Sequence, residues 1–129
     1  MGIMEFTEFE RLVFKAVDEL PQEFREKLDN VDILVEDLPS RHQIDRLRLR
    51  SPLQLLGLYE GVPAIKRGSG YSMVPPDKIT LFKKSIENKC RVSGNIEREI
   101  GKVLRHEIAH HFGFDERTLR RIEREKGIN

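Results

Sequence analysis

Ile96, Ile100, Val103, Leu104, Ile108 and Phe112 recur at intervals of three and four residues, and Gly113 follows directly. That spacing places six large apolar side chains on one face of a helix over residues 95–112. Glycine after the last of them supplies the left-handed backbone on which helices commonly end. Ser93 is the expected cap, although Ser93-x-x-Ile96 falls short of a capping box. A stripe of this length has to be covered, so the rest of the chain must fold around it.

A similar period in Phe6, Phe9, Leu12, Val13, Ala16, Val17 and Leu20 predicts a helix over residues 5–19. Pro21 opens a shorter helix with Phe24 and Leu28, because the first helical position tolerates a missing N–H. After a turn at Asp29-Asn30, Val31, Ile33 and Val35 alternate with Asp32, Leu34 and Glu36, as in a half-buried strand. Residues 41–51 mix Arg41, His42, Arg46, Arg48 and Arg50 with Ile44, Leu47 and Leu49, and read either as a mobile segment or as a short helix. Leu55, Leu56, Leu58 and Tyr59 form a second short apolar run. A long Gly- and Pro-rich loop is expected from Val62 to Pro76. Ile79 to Phe82 reads as a third strand, Ser85 to Arg91 as one or two helical turns, and Arg117 to Lys126 as a charged helix resting on Leu119 and Ile122.

The 129 residues suit one domain spanning 1–129, and neither a repeat nor a boundary is visible. Charged residues make up 35% of the chain, above the usual quarter or so, yet 23 basic and 22 acidic side chains nearly cancel. That balance gives no whole-molecule attraction to nucleic acid or membrane. A lone cysteine, Cys90, excludes an internal disulfide and is expected to be a small buried residue. With no visible secretion signal and no long apolar run, the expected location is the cytoplasm.

On the best helix stands His106-Glu107-Ile108-Ala109-His110, an H-E-x-x-H pattern. Residues four apart share a helix face, so both imidazoles can reach one zinc ion. Glu107 adjoins the first of them, where its carboxylate can take a proton from zinc-activated water and return it to a leaving amine. A catalytic zinc usually has three protein ligands. The chain continues His111-Phe112-Gly113-Phe114-Asp115-Glu116, which sets Gly113 at the glycine of the pattern H-E-x-x-H-x-x-G-x-x-H and Glu116 at its last histidine. A carboxylate is a sound zinc ligand, so Glu116 is the expected third, with Asp115 the alternative. Either acid could instead cap the last helix.

Several short motifs occur in linked order: Leu20-Pro21-Gln22-Glu23-Phe24, Val35-Glu36-Asp37-Leu38-Pro39, Leu56-Gly57-Leu58-Tyr59-Glu60-Gly61 and Pro76-Asp77-Lys78-Ile79-Thr80-Leu81-Phe82, ahead of His106 to Gly113. With them the chain resembles the minimal zincin-like metallopeptidases of bacteria over nearly its whole length. The resemblance implies a compact α+β zincin-like fold, a small mixed sheet packed on N-terminal helices and on the helix of the motif. It also implies a peptidase acting on peptides or proteins, with His106 and His110 as zinc ligands, Glu107 as base and an acid at Glu116. One departure concerns the larger metzincins, which carry a methionine turn beneath the metal; no methionine follows His110.

The other candidates have plainer alternatives. His111, four residues after Glu107, could orient it or simply pack. Tyr59 and Tyr71 could each donate to an oxyanion, Tyr71 the better placed in the Gly-rich loop, or be packing tyrosines. The strand Ile79 to Phe82 could be a sheet edge that pairs with an extended substrate. The arginines of 41–50 could meet phosphates, or only solvate a surface. Two other functions compete with the zinc peptidase. One is a metal-dependent ribonuclease, against which Glu107 argues. The other is a non-catalytic binding or regulatory protein on the same scaffold, where four zinc ligands would be usual and only three are found.

Overall fold

The structure, a computed structural model, describes residues 4–61 and 75–128. Its helices are α1 (Phe6–Asp18), α2 (Gln22–Arg25), α3 (Arg41–Arg46), α4 (Lys83–Ser93), α5 (Ile96–Phe112) and α6 (Glu116–Glu125). The strands are β1 (Val31–Glu36), β2 (Gly57–Glu60) and β3 (Asp77–Phe82). This is an α+β fold with a small mixed sheet in the order β1-β3-β2. β3 runs parallel to β1, with Ile33 opposite Ile79, and antiparallel to β2, with Tyr59 opposite Ile79.

The periodic stripe of α5 forms the centre of the core. Ile100, Leu104 and Ile108 are fully buried, and Phe9 and Val13 of α1, Phe24 of α2 and Ile122 of α6 join them. Burying such a side chain contributes roughly 1.5–3 kcal/mol, so most of what holds α5 lies on this face. Gly113 ends the helix at φ 76°, and its N–H bonds the carbonyl of Ala109. The start differs from expectation. α4 continues through Ser93, Gly94 turns the chain at φ 79°, and Asn95 caps α5 by accepting from the N–H of Arg98 at 3.0 Å.

Two further expectations are settled by neighbours. The basic segment forms α3, because Ser40 and Gln43 close a capping box: each side chain accepts from the other's backbone N–H. The strand Ile79 to Phe82 is the middle of the sheet and not an edge. All four of its residues are buried, the continuous pattern of a strand covered on both faces. Among the described residues the edges are β1 and β2. The Gly-rich stretch 62–74 lies outside the described residues. Among the described residues no helix is long and apolar enough to cross a membrane.

Candidate active site

With its apolar face in the core, α5 presents His106 both to a cavity beside β2, which Glu107 also lines, and to a groove shared with α6. His106 and Glu107 are half-buried and His110 is exposed. Burial lowers the affinity of His106 for a proton, only partly offset by the nearby Glu116 and Glu123. The ring is thereby biased to the neutral form that donates a lone pair. His110 lies one turn on, along the same face.

Glu107 faces β2. Its Oε1 accepts from the backbone N–H of Tyr59 at 3.1 Å. Burial raises the carboxyl's pKa above the ordinary 4.5, with the Tyr59 N–H and His110 acting in the opposite direction. The strand comes this close because residue 57 is glycine. A Cβ there would stand 2.8 Å from Val103 Cγ1 and 3.4 Å from Glu107 Cγ. Both are side chains of α5, so β2 and the helix meet without a spacer. A cavity of about 280 Å³ opens beside the contact, between Leu56, Val103, His106 and Glu107.

The opposite side of α5 is charged and open. Asp115 caps α6 by accepting from the N–H of Thr118 at 2.7 Å, and this bond holds its carboxyl below the usual range. Glu116, the next residue, is exposed and lines one groove with His106. Its Oε1 lies 3.5 Å from Arg120 Nε. Behind it, the ion pair of Arg105 with Glu123, nearly buried on both sides, ties α6 to α5.

Among the described residues, no three His, Cys, Asp or Glu side chains are gathered closely enough to form a metal cage. Two imidazoles on one face of α5 and a carboxylate across the groove are nonetheless the donor types that zinc takes. Glu116 lines the groove with His106, but its carboxylate is paired with Arg120. Its pair with Arg120 is largely exposed, and such pairs contribute about 1 kcal/mol or less. By chemistry the donor types suit zinc, although the described side chains are not gathered around one point.

The family model for zincin-like metallopeptidases matches residues 28–126. The chain belongs to this metallopeptidase family. It matches no curated protein. In this zincin-like protein Tyr59 and His111 take the packing alternative. Tyr59 serves through its backbone: its hydroxyl donates to Asp77 Oδ2 at 2.9 Å. The Tyr59 ring stacks on His111, with centroids 3.5 Å apart and planes 11° from parallel. His111 thus packs against the strand that holds Glu107. Tyr71 lies outside the described residues. Cys90 is buried. The part played by the Tyr59 N–H escapes sequence reasoning, since every residue but proline carries one; its nearest signal is Gly57, the residue that lets the strand approach.

Proposed function

We propose that the protein is a zinc-dependent peptidase, with His106, His110 and Glu116 as metal ligands and Glu107 as the general base. The observation that carries this reading is the setting of Glu107. Its carboxylate is half-buried beside His106, anchored through Oε1 by an edge-strand N–H, and has a raised affinity for protons. A base with its pKa moved toward neutrality is better matched to proton transfer than an ordinary carboxylate. With Oε1 engaged, Oε2 is left to take a proton from water and deliver it to the leaving amine. Zinc, when bound, would supply a Lewis acid that polarises the scissile carbonyl and acidifies the attacking water.

The neutral imidazole of His106 and the imidazole of His110 are the first donors. Glu116 completes the set by turning from Arg120, at small cost. Asp115 is disfavoured as a ligand because its cap on α6 would be lost. Among the described residues β2 is an edge of the sheet, beside the cavity at Glu107, so an extended peptide adding to this strand would pass along Glu107. The Tyr59 N–H then has two claims on it, Glu107 and substrate, which couples peptide binding to the position of the base.

The test is Glu107→Gln in the full chain, screened against a peptide library with zinc content measured in parallel. Hydrolysis should fall by about 100-fold or more while zinc is retained. Unchanged hydrolysis with zinc bound would remove Glu107 from the base role.

A further inference from the structure

The groove that joins His106 to α6 has a volume of about 750 Å³ and is lined by six Lys or Arg side chains against three Glu. Its three acids are each matched by a cation. Glu99 lies 3.6 Å from Lys89, Glu116 lies 3.5 Å from Arg120, and Glu123 pairs with Arg105. Arg98, Lys102 and Arg124 line the same groove. All three are exposed, and none has an acidic partner among the described residues. The chain as a whole carries 23 basic and 22 acidic residues, so this is a local excess in a nearly neutral protein. A concave surface of one sign focuses its field and concentrates ligands of the other sign.

We propose that this groove is an acid-recognition subsite, where Arg98, Lys102 and Arg124 hold Asp or Glu side chains of a polypeptide whose scissile bond lies at His106 and Glu107. The inference rests on the peptidase reading above and names its substrate class, proteins with an acidic stretch beside the cleavage point. Arginine and lysine at the groove supply charge-assisted hydrogen bonds to carboxylates. A single-stranded nucleic acid would meet the same cations, but such sites also stack bases on aromatic rings. The described lining of this groove contains no Phe, Tyr or Trp.

The experiment measures binding and not turnover, using full-length Glu107→Gln and fluorescent peptides of one length. One peptide carries spaced glutamates, its isostere carries glutamines, and a single-stranded RNA is the third probe. The acidic peptide should bind about ten-fold more tightly than the glutamine peptide, and more tightly than RNA at roughly 200 mM salt. The triple variant Arg98→Gln, Lys102→Gln, Arg124→Gln should lose that preference with an unchanged melting temperature. Arg117→Gln, on α6 but outside the groove, should keep it. Equal binding of the two peptides, no binding of either, tighter RNA binding, or a preference that survives the triple variant would each overturn the subsite. A melting temperature lowered in the triple variant shifts the decision to Lys102→Gln alone, which should weaken the preference at least two-fold. Acid preference in a wild type that cleaves no peptide would instead count against the peptidase reading and leave the subsite standing.

Discussion

The two flanks of α5 are built in opposite ways. Toward β2 the contact is tight: glycine at position 57 removes the spacer, the Tyr59 N–H fixes Glu107, and the Tyr59 ring stacks on His111. Toward α6 the surface above the buried Leu119 and Ile122 is wide and charged, crossed by the Arg105–Glu123 ion pair, with Glu116 exposed on the rim. The proposed base is anchored by a hydrogen bond and a close strand contact, whereas the proposed third ligand is an exposed carboxylate not yet gathered with the imidazoles. A proton-transfer group gains from a fixed position. A metal ligand can be drawn in by the metal itself, because binding free energy offsets the small cost of turning a surface carboxylate.

The sharpest way to break this contrast is Gly57→Ala. The new methyl would meet Val103 Cγ1 at 2.8 Å and Leu81 Cδ2 at 3.2 Å. Overpacking of this kind costs about 1–3 kcal/mol, to be read by denaturant unfolding. It should also push Tyr59 away from Glu107 and lower hydrolysis while zinc affinity stays near wild type. If stability and hydrolysis were both untouched, the flank would not be tight.

On the other flank, neighbouring acids should separate. Asp115→Ala removes a cap and should cost about 1 kcal/mol of stability, with little change in zinc affinity. Glu116→Ala should leave stability within about 0.5 kcal/mol and weaken zinc by at least about ten-fold. The reverse pattern would make Asp115 the ligand.

The smallest effect is a pH dependence of the metal-free protein. The folded state holds a proton on Glu107 more strongly than the unfolded chain, where the carboxyl sits near 4.5. This contribution is complete below that pH and is lost as pH rises through the folded value. His106 has the opposite sign, since burial lowers its pKa from 6.5. Its contribution is complete above 6.5 and fades as pH falls through the lowered value. Melting temperatures of Glu107→Gln and His106→Gln across pH should each lose one of these slopes. A profile matching wild type in either variant would contradict the burial described for that residue.

Much of this arrangement is legible in the residues. The stripe from Ile96 to Phe112, the stop at Gly113 and the shared face of His106 and His110 follow from spacing, because helix periodicity is local. The cap of α3 is legible too: Ser40-Arg41-His42-Gln43 is a capping box in letters, masked by the surrounding arginines. Sheet order is not local. Four buried residues at Ile79–Phe82 fit a central strand, but only the pairings with β1 and β2 decide it. Ser93 and Asn95 are both good caps, and the left-handed turn at Gly94 selects the second. The anchor of Glu107 is a backbone group and leaves no residue-type signature. The charge excess in the groove comes from α5 and α6 meeting, which no single segment displays.

The central claim, a zinc site formed by His106, His110 and Glu116, is tested most directly by measuring zinc bound to the purified full chain at equilibrium. The account predicts about one zinc per chain at micromolar free metal, lost in His106→Ala and in His110→Ala. A wild type that binds no zinc under these conditions, or a His110→Ala variant that binds it equally well, would contradict it.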